Sequence, residues 1–345
     1  MSNNGKNPLD LLNIAGQRQL ESIIDLEENK APGITGAQET VPTTATLGFL
    51  QNLPGTWVGT GFNLIELPNM NQIQPGPPPP EKFKVMMNAT SETLVISKIA
   101  GEIINRGNAQ GDIGFMGLHY LQQINDVNLP QGQNGIHLET GLWLNVPAST
   151  SPNVQATVAR LGSIPHGDSL LATGLALFGL GGPSIPDIDS TPFTVDPNYN
   201  SRVNDPHPTY LSILQNAVPP PGIPKEAIMN PNIILKNAIE GQTIIDTTTI
   251  FLDANFILGV GNVFEPASQT GNIVNIPFVD TNANAMSFTA IFWIETVQGP
   301  NNTTFLQLQY SQQVILDFPV FGSDGKTVTD LKWPHISVAT LRLQP

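Results

Sequence analysis

The sequence predicts an all-β chain: an antiparallel up-and-down β-barrel with a long insertion and an N-terminal helical tail. Three observations carry that prediction. Short runs alternate with period two, as where Thr56, Val58, Thr60 and Phe62 interleave with Trp57, Gly59 and Gly61. Asn/Pro/Gly-rich turns separate these runs at short spacings, a rhythm expected of sandwiches and barrels. Gly and Pro number 31 each in 345 residues, which favours many turns and few long helices.

In chain order, residues 1–46 read as a separate tail. Within it, Asp10–Asn29 places Leu12, Ile14, Leu20, Ile23, Ile24 and Leu26 at roughly helical spacing, and Lys30–Thr46 reads as a linker. The barrel domain is expected over 47–345. Its first strand follows a turn at Pro54–Gly55, and Pro75–Pro80 reads as a stiff loop. Residues 83–100 read as two short strands around a turn, and 114–127, 135–146 and 154–163 as three more strands. From about 175 to 285 the chain turns Gly- and Pro-rich and reads as an insertion that caps or lines the barrel. A short helix is expected there, ending near Gly241, and 248–255 and 272–278 read as additional strands. Residues 286–316 form a hairpin around Gly299–Asn302, with Leu306, Leu308, Tyr310, Gln312 and Val314 on one face. The last strand begins at Trp333.

Composition narrows the function classes. The net charge of −14 opposes phosphate backbones and anionic lipid, so neither nucleic acid nor a membrane surface is an expected partner. The absence of cysteine removes disulfides, thiolate metal sites and cysteine nucleophiles. No apolar stretch approaches the ~18–20 residues of a membrane span. The N-terminus lacks a basic stretch followed by an apolar one, so a cytoplasmic location is expected. Charged residues make up only 12 %, with polarity supplied by Asn, Gln, Ser and Thr.

Chemistry concentrates at the end of the chain. Period two places Trp333, His335, Ser337, Ala339 and Leu341 on one face of the last strand. Pro334 suits a strand start because it cannot donate to the ladder. Past the histidine the face is small, leaving room for a broad flat object such as haem while the imidazole reaches its centre. Spacing alone also fits an ordinary half-buried strand histidine.

Three segments in order resemble nitrobindin, a haem-binding barrel related in shape to fatty-acid-binding proteins and lipocalins. They are LQNLPGTWVGTG (50–61), HLETGLW (137–143) and PHISVATLR (334–342). The resemblance covers roughly 47–172 and 286–345. It implies haem b as cofactor and His335 as its proximal iron ligand. The chain as a whole resembles larger, peroxidase-like relatives of that family. The GFNL that continues the first segment (61–64) lacks the family's polar and basic residues, which argues against a nitrobindin-type reaction with nitrogen oxides.

Other residues carry two readings each. His166 is a candidate catalytic group for proton transfer to peroxide, or an exposed turn residue. His137 and Glu139 line a polar interior, or Glu139 balances Arg160 or Arg342 there. His119 lines the cavity or faces solvent, and His207 carries no role. Arg106, Arg160 and Arg342 are candidate partners for haem propionates. Trp57 is a candidate cavity wall and Trp333 a firmer one. Ser337 and Ala339 would lie beneath the ring.

Three functions follow: a haem peroxidase-like oxidoreductase acting on a small organic substrate, a non-catalytic haem protein binding nitric oxide or another diatomic gas, or a haem-free carrier of an apolar small molecule. The sequence leaves the oligomeric state open.

Overall fold

A computed structural model of the chain describes residues 45–68, 83–151, 153–196, 201–203, 208–254, 271–321 and 328–345. Among these residues, ten long strands form one closed antiparallel barrel. They are β1 (Gly55–Pro68), β2 (Phe83–Lys98), β3 (Ile113–Asp126), β4 (Gly135–Val146), β5 (Thr157–Ile164), β6 (Asp168–Leu180), β7 (Ile244–Ala254), β8 (Asn284–Gln298), β9 (Thr304–Phe321) and β10 (Val328–Leu343). Each strand pairs with its successor and β10 returns to β1, so the order around the wall is the order of the chain. This is the up-and-down barrel expected from the sequence. The predicted helix at 10–29, the linker as far as residue 44, the Pro75–Pro80 loop and His207 lie outside the described residues.

The alternation seen in the sequence sets which face of each strand points inward. On β1, Trp57 faces the interior and Phe62 faces out. Gly59 and Gly61 sit where β10 passes closest. A Cβ at Gly59 would lie 2.0 Å from the Thr340 carbonyl oxygen, and one at Gly61 2.1 Å from that of Val338. Backbone occupies the space that a side chain would need. The lower end is closed by the 3₁₀ turn Gly48–Leu50, with Leu50 and Leu53 against Trp57. The Trp57 indole N–H donates to the Leu53 carbonyl at 2.8 Å, which satisfies its one polar atom in an apolar floor. Tyr120, Trp143 and Phe292 pack in the same core.

Two segment readings change. Residues 83–98 form one continuous strand, because β2 pairs with β1 over 83–96 and with β3 over 90–98. The stretch 175–285 is only partly an insertion. Its first residues complete β6, and β7 closes the barrel against β6 from Asp246 opposite Leu180 to Asp253 opposite Thr173. The short strand Asn272–Asn275 resumes that ladder with Asn272 opposite Leu171. From Thr247 to Ala254 every residue of β7 is buried, so no period-two signal marks it as barrel wall.

The described residues of 181–243 form a cap on the outside of the wall. It contains α1 (Pro208–Asn216) and α2 (Ile233–Ala238). Leu214, Ile228 and Leu235 of the cap pack on Phe62, Trp293 and Ile336, making a second core outside the barrel. Burying each such side chain contributes about 1.5–3 kcal/mol. Phe193 exchanges backbone hydrogen bonds with Lys332 in both directions, tying the cap to β10. Among the described residues no helix is long and apolar enough to cross a membrane.

Candidate functional site

The upper half of the barrel encloses a cavity of about 490 Å³, a size that suits a small organic ligand. Its walls are mostly apolar, with Ile65, Ile124, Phe288, Val314 and Leu316 among them. Three polar groupings interrupt that surface.

The first is His335 with Ser337, on the inward face of β10 as the alternation predicts. The His335 Nε2 lies 2.8 Å from the Asn63 Oδ1, and the Ser337 hydroxyl donates to that same oxygen at 2.9 Å. The Asn63 amide nitrogen donates to the Asn88 Oδ1 at 3.1 Å, and the Asn88 nitrogen donates to the Asp126 Oδ2 at 2.8 Å. This chain fixes a proton. A carboxylate only accepts, so Asn88 turns its nitrogen to Asp126 and its oxygen to Asn63. Asn63 then gives its nitrogen to Asn88 and keeps its oxygen for His335. His335 therefore donates from Nε2 and carries its lone pair on Nδ1. Burial pushes the imidazole pKa down to about 3, with the charges of His137 and His166 adding to the effect, so the ring is neutral at ordinary pH.

The second grouping lies at the inner end of the cavity. Arg160 pairs with Glu139 at 2.8 Å, and both are buried. Tyr120 donates to Glu139 in a short hydrogen bond. Gln122 donates to Glu92 at 2.7 Å, and the Tyr310 hydroxyl donates to the other Glu92 oxygen at 2.6 Å. Burial would raise the Glu139 carboxyl, but Arg160, then His137 and Tyr120, outweigh it and hold it at about 2. Glu92 moves the other way: burial raises it to about 6 against the hydrogen bonds from Tyr310 and Gln122.

The third is at the rim, where the rings of His137 and His166 stack at 5.7 Å with 25° between planes. His137 Nε2 lies 3.4 Å from Glu139 Oε2. Burial and the neighbouring His137 charge lower the His166 pKa, and Asp168 opposes them.

The cavity thus brings His335, Ser337, His137 and His166 together. It does not include Trp333, Trp57 or Ala339. Trp333 packs inside the barrel with Ala285, Leu316 and Leu331, next to the cavity-lining Ile65 and Val314, and Trp57 and Ala339 belong to the core that fills the floor. Bulky inward residues near the ends of a barrel fill it, so shared parity with His335 does not make them lining residues. Glu139 takes Arg160 as its partner, one of the two roles open to it. His119 is exposed and meets the Thr140 hydroxyl at 3.0 Å. Arg106 pairs with Asp112 in solvent, and Arg342 lies over the Phe305 ring at 3.9 Å. Neither arginine lines the cavity.

The sequence reading passed over Asn63, Asn88 and Asp126. Their signal is a polar residue at inward parity: Asn88, Thr90 and Glu92 precede Leu94 and Ile96 on one face of β2.

For haem b the donor chemistry fits. A porphyrin supplies the equatorial ligands, so one neutral nitrogen in an apolar enclosure is the protein's share. Metal-bound imidazoles usually donate their second N–H to a fixed acceptor, as His335 does to Asn63. The free lone pair here is on Nδ1. The buried cation Arg160 is already paired with Glu139, so it would not be a partner for a propionate. Among the described residues, no cluster of three or more His, Asp or Glu is arranged to hold a metal ion by itself.

Comparison with protein-family models gives no match, and comparison with curated proteins gives none either. Among solved structures the chain is similar to Rv2717c from M. tuberculosis, at 14% identity, covering 88% of this chain and 100% of that one with a TM-score of 0.36. Likeness at that level carries no weight for function.

Proposed function

We propose that the barrel is a small-molecule binding protein whose cavity takes a flat, largely apolar ligand, with haem b as that ligand and His335 as the residue holding its iron. The observation that carries this reading is the neutral His335 imidazole, fixed by the Asp126–Asn88–Asn63 chain and facing an enclosed apolar space. Bound haem would supply ferric/ferrous cycling and peroxide activation, a peroxidase-like chemistry.

The chain's own residues do four things. Asn63 and Ser337 orient the imidazole. The apolar walls exclude water. Arg160, paired with Glu139 and covered by aromatic rings, leaves no open cation at the inner end. His166, neutral at the rim, accepts or returns a proton for a substrate passing it.

A haem-free apolar ligand is the second reading. It is favoured by the mostly apolar walls and by Glu139 and Glu92 already having their hydrogen-bond partners, so that an uncharged molecule fills the cavity without a metal.

Hemin titration followed by absorption separates the two. The haem reading expects a saturable Soret shift at one equivalent, lost or redshaped in His335→Ala. No shift in the unmodified protein, or the same spectrum in both, overturns it.

A further inference from the structure

A buried arginine inside an apolar barrel would ordinarily attract the carboxylate or sulfonate of an amphiphilic ligand. Here the arginine is closed off. Its Nη2 meets Glu139 at 2.8 Å and Gln122 at 3.4 Å, its Nη1 donates to the Gln312 carbonyl at 2.9 Å, and its Nε donates to the Tyr120 oxygen at 3.2 Å. The rings of Tyr120, Trp143, Phe288 and Phe292 lie 5.3–5.7 Å from the guanidinium carbon and cover it. Arg160 does not line the cavity; Glu139, Gln122, Gln312 and Tyr310 do.

We infer that Glu139 is a specificity residue: by occupying Arg160 it makes the inner end of the cavity accept ligands whose buried end is uncharged and reject anionic ones. An entering anion would meet the carboxylate of Glu139, with Glu92 behind Gln122 and Tyr310, and no open cation. It would lose its water and gain no counter-charge. Gln312 gives its carbonyl oxygen to Arg160, which leaves its amide N–H groups to a neutral acceptor such as a carbonyl, ether or ring nitrogen. The ligand class is therefore an apolar body with an uncharged hydrogen-bond acceptor at its inner end. Any acidic groups stay at the rim.

The inference rests on the cavity binding a small molecule, not on haem. Its test uses two fluorescent probes of one skeleton: N-phenyl-1-naphthylamine, which is neutral, and 1-anilinonaphthalene-8-sulfonate, which adds one anion. Both are titrated into the full chain. Ser337→Trp, which fills the cavity, identifies binding that occurs elsewhere. The neutral probe should bind the cavity more tightly by about tenfold or more. In Glu139→Gln the sulfonate should gain about tenfold while the neutral probe changes little, with a thermal melt confirming the fold.

Equal or tighter binding of the sulfonate by the unmodified protein overturns the inference, and that titration needs no variant to fold. If neither probe enters the cavity, the binding reading falls and the inference with it. If both enter equally, only the charge selectivity falls.

Discussion

The two halves of the barrel wall obey different rules. Strands β3 to β6 turn one face to solvent, and the alternation is cleanest on β3. On β3, Leu118, Tyr120, Gln122 and Ile124 are buried while His119, Leu121 and Gln123 are exposed. Across much of β7 to β10 and the later part of β1 the cap covers the outer face, and both faces become interior, whereas Val58 near the start of β1 is 41% exposed. On β8, Ile291, Phe292, Trp293 and Ile294 are buried in succession. The covered face nonetheless retains polar residues. Glu66 and Glu295 are fully buried there, and Ser311 is 3% exposed. A polar residue that would be solvated on the bare half loses its water beneath the cap.

The largest expected effect is on packing. Trp293→Ala should cost about 3–5 kcal/mol, because the indole is enclosed between wall and cap. Leu121→Ala on the bare half should cost under about 1 kcal/mol, since Leu121 is 37% exposed. Urea denaturation measures both. Equal losses would erase the distinction between the halves.

The next effect is on pH. Burial raises the Glu66 carboxyl well above its usual value, and the charge of Asp189 adds to it. Among the described residues neither Glu66 oxygen has a hydrogen-bond partner. Burial also raises Glu295 to about 7, against its hydrogen bond from Gln307. Both groups hold protons in the folded chain that the unfolded chain has released. Stability from them is full below the ordinary carboxylate range and falls as pH rises through their folded values. His335 acts oppositely, adding stability as pH rises from about 3 to its ordinary value of 6.5. Above that value its contribution is constant, while the two glutamates and Asp253, whose carboxyl burial also raises well above its usual value, continue to lose stability. Glu66→Gln should therefore raise the melting temperature at about pH 8 and do little at about pH 5. A gain of the same size at both would contradict the assignment.

The smallest effect concerns an orphan hydroxyl. The Ser311 Oγ is buried with no hydrogen-bond partner among the described residues. Ser311→Ala should leave stability unchanged or improve it by up to about 1 kcal/mol. A clear loss would show that the hydroxyl is engaged.

The same contrast decides what the sequence could reveal. On the bare half, period two identified strands and faces directly. β10 also disclosed its inward face, because His335, Ser337 and Ala339 share parity whatever covers the other side. β7 was read as a strand but not as barrel wall, since Thr247–Ala254 is buried throughout and its preceding neighbours in sequence are cap. Within the site, parity placed His335 but not its partners. Asn63 and Asn88 are 25 residues apart, and only the β1–β2 register sets them opposite each other. The pairing of Glu139 with Arg160 was one of two options, and the β4–β5 register brings those residues within reach. Trp57 and Trp333 misled because parity cannot distinguish a side chain that fills a barrel from one that lines its cavity. The stack of His137 on His166 depends on the ends of β4 and β5 meeting at the rim, which no local pattern encodes.

The cavity and the asparagine chain meet at one ring, that of His335. Long-range nitrogen–proton NMR of His335, recorded from about pH 5 to pH 8, reads its tautomer and charge together. A neutral ring protonated on Nε2 across the whole range is the predicted result. Titration within that range, or a proton on Nδ1, would contradict both the buried cavity and the asparagine chain that orients its histidine.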